Sequence, residues 1–167
     1  MVINGMELIF HAPIKGMVEG KIKEHGVSYG LGEAGYDIRI KQEIRFSSEN
    51  YRQVMTVQVM PYLEQEGRFA LASTIEEFDM PPDLVGIVHD KSTWARQGLS
   101  VFNTIIEPGW EGFLTLELDY KRDGLLCIPA GSGIAQVIFH QIKEVAEYTG
   151  KYQNQADRPV EAIFLAK

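Results

Sequence analysis

Gln53-Val54-Met55-Thr56-Val57-Gln58-Val59 alternates apolar and polar side chains with a period of two. A strand with that period turns one face toward a core and the other toward solvent. Outward from this stretch, the apolar segments stay short and are set apart by Gly, Pro or Asp. The candidate strands are residues 38–46, 54–59, 68–73, 84–88, 100–102, 113–118, 125–128 and 134–140. Many short strands at such spacing predict an all-β fold, a barrel or a sandwich. Helical signals are few. Residues 93–97 predict a short helix, with Ser92 capping it by accepting from free backbone N–H groups. Residues 15–25 predict a second, weakened by Gly16, Gly20 and its β-branched residues. Residues 148–167 read as a tail, polar at first and then apolar over 160–166, expected to dock on the body or on a neighbour.

The chain of 167 residues is 45% hydrophobic and 23% charged, which fits one soluble domain with a real core. No apolar run approaches a membrane span, and Met1-Val2-Ile3-Asn4-Gly5 lacks the basic-then-apolar pattern of a signal peptide, so a cytoplasmic protein is expected. The net charge of −7 argues against duplex nucleic acid as a partner, because displacing its counterions takes a basic surface. A few local cations still suffice for one phosphate chain. The single cysteine, Cys127, leaves no internal disulfide and no Cys-rich zinc site, and within Leu125-Leu126-Cys127-Ile128-Pro129 it reads as a small buried hydrophobe.

Three segments have the composition of a site. In Lys91-Ser92-Thr93-Trp94-Ala95-Arg96, two cations flank two adjacent hydroxyls at the start of a predicted helix. Free N–H groups there, with a guanidinium able to grip phosphate oxygens, suit an anion. A capped surface helix with solvated cations is the plainer alternative, and the spacing is not that of a P-loop. In Phe113-Leu114-Thr115-Leu116-Glu117-Leu118, Glu117 lies between two leucines. Desolvation would raise its pKa and suit it to general acid/base work, whereas pattern alone also allows Thr115 and Glu117 a solvent-facing side. Glu107-Pro108-Gly109-Trp110-Glu111-Gly112 carries the chemistry of a tight turn, predicting a hairpin flanked by Ile106 and Phe113. Glu107 there could meet a sugar hydroxyl or a metal-bound water, and Trp110 could be plain core.

Metal and acyl-transfer motifs are lacking. His11, His25, His89 and His140 are far apart, and the His-x-Glu with Pro-Cys-x-x-Cys of zinc nucleobase deaminases has no counterpart, so any deamination would be zinc-free. No Gly-x-Ser-x-Gly elbow is present.

At these residues the chain resembles the dCTP deaminase branch of the dCTP deaminase/dUTPase family. Tyr29-Gly30-Leu31-Gly32-Glu33-Ala34-Gly35-Tyr36-Asp37-Ile38-Arg39 is similar to its first block and Phe69-Ala70-Leu71-Ala72-Ser73-Thr74 to the strand before the substrate loop. Lys91-Ser92-Thr93-Trp94-Ala95-Arg96 resembles the substrate loop itself, and residues 107–117 the catalytic turn and strand. Gly133-Ile134-Ala135-Gln136 and Gly150-Lys151-Tyr152-Gln153-Asn154-Gln155 resemble the last two blocks. The resemblance spans nearly the whole chain, as one domain of residues 1–167 whose tail, 148–167, closes over the site.

The resemblance implies a homotrimeric, dUTPase-like distorted β-barrel (a β-clip) with sites between subunits. It implies a hydrolase of nucleotide metabolism that converts dCTP to dUTP and ammonia, with dUTP or dTTP as further candidate ligands. Glu117 would deprotonate the water that attacks C4 of cytosine and then protonate the departing ammonia, and Ser92 would help place that water. Lys91, Thr93 and Arg96 would bind the triphosphate, with Mg²⁺ on its phosphates and no metal ligand from the protein. Glu107 would sit by the deoxyribose. The backbone around Thr115, Leu116 and Glu117 would line the base pocket, and Gln136, Tyr148, Lys151 and Gln155 would close over the nucleotide. The chain departs from the family in its compact Gly98-Leu99-Ser100-Val101-Phe102-Asn103-Thr104 segment, in Asp119-Tyr120 after the catalytic strand, and in a short stretch before Lys151.

Two other functions compete. One is dUTP pyrophosphatase, alone or alongside deamination, because Ala34-Gly35-Tyr36-Asp37 also resembles the first dUTPase motif and Glu107 could activate water against the α-phosphate. The tail disfavours it, since Lys151-Tyr152-Gln153-Asn154-Gln155 stands in place of a Gly-rich Arg-Gly-x-Gly-Gly-Phe-Gly segment. The other is a silent regulatory protein that keeps the nucleotide site. Against it stands the joint presence of Ser92, Arg96, Glu107 and Glu117.

Overall fold

The computed structural model describes residues 1–48, 55–61 and 63–164. The elements run β1 (Val2–Ile3), α1 (Gly5–His11), β2 (Lys21–Glu24), β3 (Val27–Leu31), β4 (Tyr36–Arg39), β5 (Ile44–Ser48), β6 (Met55–Val59) and β7 (Leu63–Glu66). They continue with β8 (Phe69–Asp79), β9 (Leu84–Asp90), α2 (Ser92–Ala95), β10 (Leu99–Val101), β11 (Ile105–Ile106), β12 (Glu111–Tyr120), β13 (Leu126–Ile128) and β14 (Gly133–Gln141). The fold is all-β, as the alternation predicts.

Three antiparallel sheets share one core. The largest runs β11-β9-β14-β4-β3-β2, with β1 also on β14; the second is β10-β12-β8 and the third β13-β5-β6-β7. Burial follows the period of two. In β6 Met55, Val57 and Val59 are buried, while Gln53 and Val54 of the same run lie outside the described residues. In β12 Leu114, Leu116 and Leu118 enter the core, each such burial stabilising the fold by about 1.5–3 kcal/mol.

Several expectations are corrected. Residues 38–46 form two strands, not one: β4 ends at Arg39 and β5 begins at Ile44. Between them Ile40 N–H bonds Ser132 O and Lys41 N–H bonds Ser73 O, so one apolar run feeds two sheets. Residues 15–25 form no helix. Gly16 and His25 sit at φ of 62° and 51°, left-handed positions that break a right-handed helix, and Lys21–Glu24 becomes a wholly exposed edge strand. Ile106 and Phe113 do not flank a hairpin. The turn is real, with Trp110 N–H on Glu107 O, but β11 pairs with β9 while β12 pairs with β8 and β10. Cys127 is exposed rather than buried, because Leu126 and Ile128 take the inward positions of β13.

A candidate nucleotide site in two parts

The first part is built on β12. Its register sets Thr115 opposite Ser73 and Glu117 opposite Leu71 of β8, and on its other edge Phe102 N–H bonds Glu117 O at 3.0 Å. With the even-numbered leucines in the core, Thr115 and Glu117 face a cavity of about 460 Å³. That volume lies within the range of small-molecule sites. Glu117 Oε2 is buried and has no hydrogen-bond partner among the described residues. Desolvation raises the pKa of Glu117, against a smaller lowering by its own backbone hydrogen bond. The solvent-facing alternative for this residue is therefore set aside.

The tail closes one wall of that cavity. Trp110 is buried, and its Nε1–H donates to Tyr152 O at 2.6 Å. The Gln153 side chain donates to Gly109 O at 2.8 Å and accepts Glu111 N–H at 3.0 Å. Gly112 has φ of +130° and touches Gln155 so closely that a Cβ there would lie 2.5 Å from Gln155 N. Only glycine permits this approach. The tail's Tyr148, Tyr152, Gln155, Val160, Glu161 and Ala162 all line the cavity.

The second part is α2 and its supports. Lys91 is the N-cap residue, and its carbonyl accepts from both Trp94 and Ala95. Ser92 is the first helical residue rather than a cap, and no side chain caps this helix. Ser92, Thr93 and Arg96 are exposed, and Arg96 makes no ion pair among the described residues. Lys91 is largely buried and bonds Asp37 and Ser28. Gln136 of β14 lies between His89 of β9 and Asp37 of β4 in one cross-strand row.

The cavity thus brings Glu107, Thr115, Glu117, Tyr148 and Gln155 together. Lys91, Ser92, Thr93, Arg96 and Gln136 do not line it, the Leu116 side chain is in the core, and Lys151 turns away to donate to Ile163 O. Its charged lining residues, Glu107, Glu117 and Glu161, are all acidic, so the cations of α2 form a separate feature. Reading the sequence missed Thr104, Tyr152 and Glu161 in the lining and Asp37 as the partner of Lys91. Asp37 was visible within the first block, but nothing in the linear spacing pairs it with a residue in α2. Among the described residues no three His, Cys, Asp or Glu side chains gather as a metal group, and no helix is long and apolar enough to cross a membrane.

A family model described as dCTP deaminase-like matches residues 14–142. The chain belongs to the dCTP deaminase-like family. Among its family relatives, a dCTP deaminase of Acidobacterium capsulatum is 35% identical over 175 residues, covering 93% of this chain and 96% of that one. A dCTP deaminase of a Sulfurovum species is 38% identical over 160 residues, covering 86% and 85%. In structure the chain resembles the dUTPase of Staphylococcus bacteriophage 80alpha, with a TM-score of 0.53 at 15% identity over 83% of this chain and 94% of that one. It also resembles the dUTPase of phage phi11 of S. aureus, with a TM-score of 0.53 at 14% identity over 83% and 94%. At such identities the likeness concerns the fold, which is dUTPase-like, as the family resemblance implied.

Proposed function

We propose that this protein deaminates dCTP to dUTP and ammonia. The observation that carries the reading is Glu117 Oε2, a buried carboxylate oxygen without a partner among the described residues, in a cavity of about 460 Å³ whose charged lining residues are all acidic. Such a cavity suits a base and sugar and repels a phosphate chain. The dCTP deaminase relatives, at 35% and 38% identity over most of this chain, support the choice of substrate.

In this reading Glu117 takes a proton from water as it adds to C4 of cytosine, and returns a proton to the amino nitrogen as the C4–N bond breaks. One carboxylate can serve both steps when its pKa is brought toward neutrality. Glu107 meets the deoxyribose, the backbone at Thr115 and Leu116 borders the base, and Tyr148 and Gln155 enclose the nucleotide. Lys91, Thr93 and Arg96 hold the triphosphate, and Ser92 places the water. The separation of these residues from the cavity supports a homotrimer in which α2 of one subunit serves the cavity of another. Residues 1–167 then act as one domain, and 148–167 as its closing tail, in a cytoplasmic enzyme.

Mg²⁺ would be carried by the phosphate oxygens, since this ion keeps several waters and takes phosphates readily. One phage phi11 dUTPase structure coordinates a structural Mg(II) ion. Bound there, the ion would neutralise phosphate charge; the reading calls on no zinc.

Glu107, lining the same cavity, favours a second reading, cleavage of dUTP to dUMP and pyrophosphate, alone or after deamination. Incubation of the purified protein with Mg²⁺ and either dCTP or dUTP separates the two, by assay of ammonia, dUTP, dUMP and pyrophosphate. Ammonia and dUTP from dCTP are expected. Cleavage of dUTP with no ammonia from dCTP would overturn the first reading.

A further inference from the structure

We infer that Asp37 is a positioning residue that aims the Lys91 ammonium at the phosphate chain; the inference rests on the nucleotide reading above. Asp37 lies in β4 and Lys91 follows β9 as the N-cap of α2, fifty-four positions apart, with side chains only 5% and 11% exposed. The ammonium bonds Asp37 Oδ2 and the Ser28 hydroxyl, the latter at 3.1 Å, and Ser28 donates to the same Asp37 oxygen at 3.0 Å. The three groups form a closed triangle.

A lysine has three N–H donors. Two are taken here, so one is left, and its direction is fixed by the other two. A free lysine on a surface loop would have to give up its rotamer freedom on binding an anion, whereas this one has already given it up on folding. Arg96 contrasts with it, being exposed and in no ion pair among the described residues.

The corner is built for this purpose at a second point. Trp94 Nε1–H donates to Gly133 O at 2.7 Å, which fixes the far side of α2. A Cβ on Gly133 would lie 1.9 Å from Ser28 O, so the absence of a side chain there lets Ser28 reach Asp37. Both anchors reach the large sheet, and together they set where Ser92, Thr93 and Arg96 begin.

Calorimetric titration of dCTP with Mg²⁺ tests this in a Glu117→Gln background, where the nucleotide is bound without turnover. Asp37→Asn is expected to weaken dCTP about tenfold, the loss of one charge-assisted contact. In a Lys91→Gln background, itself weakened, Asp37→Asn should add no further loss, because Asp37 acts only through Lys91. A merely structural Asp37 would weaken binding in both backgrounds, and that result overturns the proposal, as does an unchanged affinity in Asp37→Asn. Should Asp37→Asn fail to fold, Ser28→Ala removes one corner of the triangle, and with it two of the three bonds, without stranding a charge. It should weaken dCTP measurably with Lys91 present and not at all in Lys91→Gln, and equal losses in both again overturn the proposal. If the Glu117→Gln parent binds no dCTP at all, the nucleotide reading itself falls, and this inference with it.

Discussion

Thr115 and Gln155 are joined side chain to side chain. The Thr115 hydroxyl donates to Gln155 Oε1 at 3.0 Å and accepts Val160 N–H at 3.0 Å. One oxygen on the strand that carries Glu117 therefore holds the tail at two places. Thr115→Val keeps the shape and removes both bonds. Hydrogen exchange over residues 155–163 should quicken, and KM for dCTP should rise about three- to tenfold with kcat within about twofold, the scale of one or two lost hydrogen bonds. Unchanged exchange would show that other contacts hold the tail.

The pH dependence follows from the burial of Glu117. Its pKa lies above the usual glutamate value of 4.5 because desolvation outweighs its backbone hydrogen bond. The carboxylate must be ionised to take a proton from water, so kcat/KM for dCTP should fall as pH drops through that raised value. The midpoint of this acidic limb is expected above 4.5, and a limb at or below it contradicts the assignment.

The same burial should destabilise the fold. A carboxyl whose pKa is raised on folding contributes stability below its unfolded value and loses it as pH rises through the folded one. Glu117→Gln is neutral throughout and should melt higher than the parent at pH 8, by about 2–4 °C for a relief of about 1 kcal/mol. The gap should close by about pH 4, where the glutamate is itself protonated. A variant less stable than the parent at pH 8 would refute this.

Arg39 and Glu76 test a different link, between β4 and β8. Arg39 Nε–H bonds Glu76 Oε1 and Arg39 N–H bonds Glu76 Oε2, each at 2.8 Å, and the Glu76 side chain is 2% exposed. Arg39→Met strands a buried carboxylate and should cost about 3–5 kcal/mol in urea unfolding. The double variant Arg39→Met with Glu76→Leu should recover most of that. A double variant as unstable as the single would mean that the pair's geometry, not its charge balance, is what matters.

The fold was legible wherever one strand face is buried. The alternations in β6, β12 and β14 could be read directly, because side-chain period and burial coincide there. Strands β2 and β7 escaped because all their residues are exposed, leaving no period to read. Helix α1 escaped because Leu8 is its one buried residue and Asn4 makes no side-chain cap. At the site, Glu117 and the cations of α2 could be singled out from the sequence. The Lys91–Asp37 pair could not, because it depends on β14 bringing β9 and β4 together in the large sheet, nor could the distance from Glu117 to α2, which depends on β12 lying in a different sheet.

The central claim is that Glu117 performs the proton transfers, and the direct measurement is ammonia release from dCTP with Mg²⁺ by the parent and Glu117→Gln side by side, with dCTP affinity measured on both. The parent should release ammonia. The variant should bind dCTP within about threefold of the parent and lose at least about a hundredfold in kcat, the usual share of a general acid/base. Deamination at the parent rate by Glu117→Gln would contradict the account.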